Sequence, residues 1–290
     1  MRIIGGMKND IVCIYHKDCV DGTTAAAVLL KKFPHAHVFP LAHGYTKEDI
    51  NEILDVTSIE AHIYIVDSVL GLLEFVEKGN QVTILDHHIS VYEETKAFVA
   101  NHPNVTYHFD NAKSGASLTW SYLFPEEPVP ELVRLVEDND LWIRAFGEAT
   151  QHVVNYLSLL RNDPQRVCLL LDTDIEIIKK NGEQLTAYIH TEVERAVLSE
   201  PILVTIGAYE VPLFNITNHQ STCGNILSTK FDAAVGMYSV SGDEVRLSFR
   251  SLGHHSPSAL TLAELLGGGG HQNASGARVK LSVFVNHIIH

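Results

Sequence analysis

Three apolar runs in this chain stop abruptly in side chains that can hold a metal ion or move a proton. Residues 82–85 run into Asp86, His87 and His88, residues 11–15 run into the stretch His16-Lys17-Asp18-Cys19-Val20-Asp21-Gly22, and residues 63–66 run into Asp67 and Ser68. Short aliphatic and β-branched runs bounded by polar residues read as buried strands of a parallel sheet, which places each polar stop at a strand's carboxyl end. That edge of an open α/β sheet is where ligands bind. If the three strands are neighbours, His16, Asp18, Asp21, Asp67, Asp86, His87 and His88 share one crevice. So many carboxylates at close quarters repel one another unless cations intervene. Mixed carboxylate and imidazole ligation suits Mn(II) first, with Mg, Co, Fe and Zn as competitors.

The elements that must position these residues follow from local signals. Residues 21–33 carry strong helix formers, a polar start and basic residues in the last turn, and Pro34 ends them. The first polar stretch therefore feeds a helix N-terminus, where anions are favoured. Strands are expected at 37–41 and 105–109, and helices at 47–54, 70–78, 114–124 and 129–138. This alternation predicts a doubly wound, mainly parallel sheet. Residues 151–199 show only helical periodicity, with one long helix over 174–199. Short strands then follow at 202–206, 209–214, 233–240, 245–251 and 277–285, with helices at 221–229 and 258–266. The expected organisation is an N-terminal α/β domain over 8–150, a helical connector over 151–200, and a smaller C-terminal α/β domain with a mixed sheet over 201–290.

Composition narrows the function. The chain has 290 residues, 46% of them hydrophobic, and a formal charge of −14. That length allows two domains with a sizeable core. The charge excludes a protein that coats nucleic acid by general electrostatics, yet suits an enzyme that handles short phosphate chains one end at a time. No apolar run reaches the length of a membrane span. The first residues lack the apolar core of a signal peptide, and Met7 is a second plausible start. A cytoplasmic location is the expectation. Four cysteines, Cys13, Cys19, Cys168 and Cys223, form no CxxC pair and read as free thiols.

The L-D-H-H at 85–88, the H-x-x-C-x-D-G at 16–22, the strand-end Asp67 and the later run Gly267-Gly268-Gly269-Gly270-His271-Gln272-Asn273-Ala274-Ser275-Gly276 together resemble the DHH phosphoesterase superfamily with its C-terminal DHH-associated domain. The motifs stand in that superfamily's order and run from residue 11 to about residue 285. The resemblance, closest to its RecJ-like and oligoribonuclease-like branches, implies a metal-dependent phosphoesterase acting through a water activated between two divalent ions. It implies that Asp67 bridges the ions, that His16 binds one, and that Asp21, His87 and Asp140 bind the other, with Asp140 preferred to its neighbour Asp138. Asp86 would fix an imidazole's orientation and His88 would meet the phosphate or the leaving oxygen. In the C-terminal domain, Gly268, Gly269 and Gly270 would offer backbone amides to a phosphate and His271 a donor, beside Arg250, with Asn215 and Arg278 as weaker contacts. Substrate would lie between the domains. Where many relatives carry two aspartates after the first histidine, this chain has Cys19 and Asp21, with Asp18 alongside, and either Asp18 or Cys19 can complete the first metal site.

The implied substrates are short oligonucleotides, nucleotides or related phosphorylated small molecules. Exopolyphosphatase or pyrophosphatase activity is the alternative within the class, and a non-catalytic nucleotide- or nucleic-acid-binding module the alternative outside it. The remaining histidines, His43, His254 and His255 among them, read as surface or structural residues. Trp120 and Trp142 read as core. Nothing in the sequence fixes the oligomeric state, and a homodimer is compatible with it.

Overall fold

The computed structural model describes residues 9–287; the residues around Met7, and with them the reading of the chain's start, lie outside the described residues. Contacts divide the chain into two units, one up to Thr186 and one from Ala187.

The first unit holds five parallel strands, β1 (Asn9–His16), β2 (His37–Leu41), β3 (Thr57–Val66), β4 (Gln81–Asp86) and β5 (Val105–Phe109), in the order β2-β1-β3-β4-β5. Chain order reverses beside β1, which makes the β1/β3 boundary the switch point of a doubly wound sheet. Side chains alternate between two buried faces. Cys13, Tyr15, Tyr64, Val66 and Leu85 enter one core, while Val12, Ile14, Ile63, Ile65 and Ile84 enter the other. Both faces are dry, so the strands read as continuous apolar runs and only their ends are free to be polar.

Helix α1 (Val20–Lys32) is buried along ten consecutive residues, Asp21 to Leu30. Its Thr-Thr-Ala-Ala-Ala stretch suits this, because small side chains let neighbouring helices approach and each threonine hydroxyl is bonded back to a carbonyl, Cys19 O or Val20 O. Helices α2 (Lys47–Val56), α3 (Leu72–Glu77), α4 (Tyr92–Val99) and α5 (Gly115–Leu123) alternate with the strands. Helix α4 escapes a reading by pattern because Thr95 is its only fully buried residue. Helices α6 (Glu131–Asp140), α7 (Glu148–Ser158) and α8 (Pro164–Leu170) complete the unit, contributing Leu135, Val153, Leu157 and Val167 to the same core as α1. Helix α9 (Ile175–Ala196) runs across the division between the units.

The second unit is a six-stranded mixed sheet, β10-β11-β9-β8-β7-β6. Its strands are β6 (Ile202–Ile206), β7 (Tyr209–Phe214), β8 (Val235–Ser241), β9 (Glu244–Arg250), β10 (Gly269–His271) and β11 (Ala274–Lys280); only β7 and β8 pair in parallel. Helices α10 (Gln220–Phe231) and α11 (Ala259–Leu265) pack on it. The sequence places a strand over 277–285, but β11 stops at Lys280 and Leu281–His287 form α12. The alternation Val-Phe-Val misleads there. Leu281 and Phe284, one helical turn apart, are the residues that reach the core, while Val283 and Val285 are exposed.

Candidate metal centre

Strand register brings the polar stops together. Tyr15 pairs with Val66, and Val66 with Leu85, so His16, Asp67 and the Asp86-His87-His88 run leave the sheet at one level. Asp67 turns out of β3 with a left-handed backbone (φ 56) and donates its amide to Leu85 O at 2.9 Å. A non-glycine residue in that region is worth attention; here it aims a buried carboxylate across the crevice.

Asp67 lies between two groups of donors. One is His16, Cys19 and Asp67; the other is Asp21, His87 and Asp140; within each, the donor atoms fall within 4.8 Å of one another. Its Oδ1 is 3.1 Å from His87 Nε2, which is in turn 3.9 Å from Asp21 Oδ2 and 3.6 Å from Asp140 Oδ2. Its Oδ2 is 3.7 Å from His16 Nδ1, beyond hydrogen-bond length, and among the described residues has no hydrogen-bond partner although it is fully buried.

Distant segments hold these carboxylates. Asp21 accepts the amides of Gly115 (2.6 Å) and Ala116 (3.0 Å) at the start of α5, where the helix dipole favours an anion. Two glycines make the approach feasible. A Cβ on Gly115 would stand 2.6 Å from Asp67 Cβ and 2.9 Å from Asp21 Oδ2, and one on Gly22 would stand 2.6 Å from His16 O and 3.0 Å from Asp67 Oδ2. Sequence reasoning missed Gly115; the Ser114-Gly115 helix start was its only signal.

The electrostatics record crowded charge. Burial, reinforced by Asp67 and Asp140, pushes the Asp21 carboxyl well above its ordinary range. Burial and Asp67 likewise raise Asp140. Burial alone would raise Asp67 too, but the imidazoles of His16 and His87 outweigh it and hold that carboxyl low. Burial also opposes a charge on His87, yet Asp67, Asp21 and Asp140 together lift it to about 9. The protein thus meets its carboxylates with protonated imidazole.

Asp138 and Asp140, adjacent in type and sequence, have different surroundings. Asp138 is 2% exposed, accepts Ala145 N at 2.7 Å and the Thr150 hydroxyl, and its carbonyl accepts the Ile143 amide. It organises the turn after α6. Asp140 has no such bonds among the described residues and faces His87. In that turn Trp142 and Arg144 both have left-handed backbones, and the Arg144 guanidinium sits 4.4 Å from the centre of the Trp142 ring. Trp142 is 76% exposed, so the core role expected for it is corrected; Trp120, 3% exposed, is a core residue. The turn that Asp138 organises carries this side chain outward, where it meets the Arg144 guanidinium.

Asp86 is fully buried and accepts from His88 Nδ1 at 2.7 Å. That hydrogen bond raises the His88 pKa against the opposing effect of burial. His43, read as a surface or structural residue, is exposed, and its ring lies 5.3 Å from that of His16; it follows the carboxyl end of β2, the same sheet edge. His16, His43, Asp67, Asp86 and His88 line a cavity of about 120 Å³.

The second unit's expected contacts are placed as follows. Gly269–His271 form the edge strand β10 rather than a loop. Gly268 and Gly270 are required by close backbone approach, since their Cβ atoms would stand 2.1 Å from Gly276 O and 2.8 Å from Ala274 O. Gly269 and His271 are exposed. Arg250 donates to Ser221 Oγ, Ser248 Oγ and Phe249 O. Asn215 lines a separate cavity with His219 and Cys223, and Arg278 is exposed on β11.

The fold, a five-stranded parallel sheet followed by a six-stranded mixed sheet, is RecJ-like. It aligns with exonuclease RecJ bound to manganese at a TM-score of 0.56, 17% identity, over 95% of this chain and 87% of that one. RecJ from Thermus thermophilus in complex with Mn2+ aligns at 0.56 and 17% identity, over 95% of this chain and 50% of that one. No family model matches. Among curated proteins, the uncharacterized protein R106 of Acanthamoeba polyphaga mimivirus is 25% identical over 91% of this chain, which spans 66% of that relative's length.

Proposed function

We propose that the chain is a metal-dependent phosphoesterase that hydrolyses phosphoester bonds in short oligonucleotides or nucleotide derivatives. The observation that carries this is the buried Asp67 carboxylate, which stands with His16 and Cys19 in one donor group and with His87 and His88 in another, and has an oxygen without a hydrogen-bond partner among the described residues. A buried unsatisfied carboxylate oxygen costs several kcal/mol unless something positive meets it. The donor set fits hard or borderline divalent ions: His16 and Asp67 on one side, Asp21, His87 and Asp140 on the other. Two such ions would supply an acidified water and neutralise phosphoryl oxygens.

The chain's own groups divide the remaining work. Asp21, fixed by two α5 amides, is a pre-positioned ligand that need not reorganise. Asp86 orients His88 and raises its proton affinity, which suits His88 to donate to a phosphate oxygen or to the leaving oxygen. The exposed face of Trp142, two residues from Asp140, offers a surface on which a base can stack. RecJ, an exonuclease with manganese in its crystal structure, supports a nucleic-acid substrate. The net charge of −14 favours a short one.

The test is product release in Mn(II) buffer from RNAs of two to five nucleotides, phosphoadenosine phosphate, a cyclic dinucleotide, pyrophosphate and polyphosphate. Mononucleotide release from the short RNAs, lost on chelation, is expected. Turnover of pyrophosphate or polyphosphate alone would move the chain to the phosphoanhydride class, and silence on every substrate would leave a binding module.

A further inference from the structure

We propose that Cys19 is a metal ligand, so that the two ion sites differ in kind: a thiolate site of His16, Cys19 and Asp67, and an oxygen-nitrogen site of Asp21, His87 and Asp140. The proposal rests on the metal-centre reading above and deepens it by assigning which metals the chain selects. Sequence alone leaves Asp18 and Cys19 as equal candidates beside His16. Geometry separates them. Asp18 has a left-handed backbone (φ 59), and both its amide and its Oδ1 bond the Asn162 side chain, at 2.9 and 2.5 Å. Its carboxylate is already engaged by Asn162.

Cys19 is the residue left facing Asp67. It is the N-cap of α1; no capping hydrogen bond holds its sulfur, though the Asp21 and Gly22 amides lie toward it. Its Sγ lies with a His16 ring nitrogen and an Asp67 oxygen inside a 4.8 Å set. The independent sign of a missing ligand is Asp67 Oδ2, buried and unpartnered among the described residues. Gly22 keeps that space open, because a Cβ there would stand 3.0 Å from the same oxygen.

Replacing carboxylate with thiolate softens one site. Thiolate favours Zn(II), Co(II) and Fe(II) over Mg(II), while carboxylate with imidazole accepts Mn(II) or Mg(II). A coordinating thiol is deprotonated outright by its metal. The chain should therefore hold a mixed pair of ions, one tightly bound and borderline-soft, one exchangeable and hard.

Cobalt tests this without any assay of turnover. The reduced, chelator-stripped full chain is titrated with Co(II) and followed by absorption and by bound metal. A near-ultraviolet thiolate-to-cobalt charge-transfer band is expected, lost in Cys19→Ser together with about one bound equivalent, and retained in Asp18→Asn. Cys19→Asp should bind cobalt without that band and shift competition at this site from zinc toward manganese, which keeps the test decisive if the serine variant folds poorly. Visible cobalt bands with no thiolate band, or a band that survives Cys19→Ser, would overturn the proposal while leaving the metal centre standing. A chain that takes up no cobalt would overturn both.

Discussion

Each unit carries a cluster of carboxylate and imidazole groups within 4.8 Å, and the two clusters have opposite character. In the second unit Asp232 sits with His254 and His255, but its side chain is 84% exposed and already accepts from His254. His255 Nδ1 accepts the Leu252 amide at 3.0 Å, which leaves the proton of the neutral ring on Nε2, toward Asp232. That nitrogen has no lone pair to give a metal. In the first unit the groups are buried, and oxygens of Asp67 and Asp86 lack hydrogen-bond partners among the described residues. Proximity of ligand-type residues is common to both. Each cluster holds a buried atom without a hydrogen-bond partner among the described residues. In the second unit it is the imidazole His255 Nε2 beside an exposed carboxylate, whereas in the first it is carboxylate oxygen, and buried unmet negative charge is what calls for a cation.

The largest effect expected breaks this contrast at its centre. Asp67→Ala should reduce hydrolysis by about a thousandfold or more, roughly 4 kcal/mol of barrier, with circular dichroism unchanged. Asp232→Ala should leave the rate within about a factor of two, as exposed pairs contribute little. Equal losses in both variants would remove the distinction between the clusters.

Asp138 and Asp140 sharpen the same contrast within one helix. Asp138→Ala leaves the Ala145 amide and the Thr150 hydroxyl without their acceptor, and should cost about 2–4 kcal/mol of stability. Asp140→Ala should leave thermal stability of the metal-free chain unchanged or raised, since a crowded carboxylate is removed, and should abolish metal-supported turnover. Denaturant melts and rates on the two variants decide; interchanged outcomes would make Asp138 the ligand. A smaller effect is expected from Gly115→Ala, whose Cβ would collide with Asp67 and Asp21; overpacking of this kind costs about 1–3 kcal/mol. Gly253→Ala, with nothing within 4 Å, is the neutral control.

The legible part of the site was the part carried by strand ends. Two-sided burial of a parallel sheet forces its strands to be apolar and confines polar residues to their termini, so His16, Asp67, Asp86, His87 and His88 announce themselves. What sequence could not supply were partners from elsewhere in the chain. The amides that hold Asp21 come from residues 94 and 95 positions later, and Asn162, which bonds the Asp18 carboxylate, lies 144 positions away. The exposure of Trp142 was missed for a related reason: local pattern tells which residues prefer burial, and a turn fixed by one buried aspartate overrides that preference. In the second unit α12 was hidden by an alternation that suits a strand and a helix equally over seven residues.

The smallest effect expected is on the pH dependence of stability in the chelated protein, and its sign follows from the charges. His87 is lifted to about 9 in the fold, against about 6.5 for a free imidazole. Below about 6.5 both states hold the proton and its stabilising contribution is complete; between about 6.5 and 9 only the folded state holds it, so stability falls as pH rises, and beyond that it is gone. The raised Asp21 and Asp140 carboxyls act in the same direction above the ordinary carboxylate range. Asp67, held low, works oppositely, its contribution disappearing only as the solution becomes acidic. Thermal melts of the stripped protein should therefore drift downward from about pH 6.5 to 9, and His87→Gln should flatten the drift. Manganese should reverse it, because the ion binds the deprotonated donors and stabilises the fold more as they become available. A stripped protein that gains stability over this interval would mean that the imidazole does not carry the counter-charge, and the first unit's carboxylates would then call for a cation no more than the exposed Asp232 of the second does.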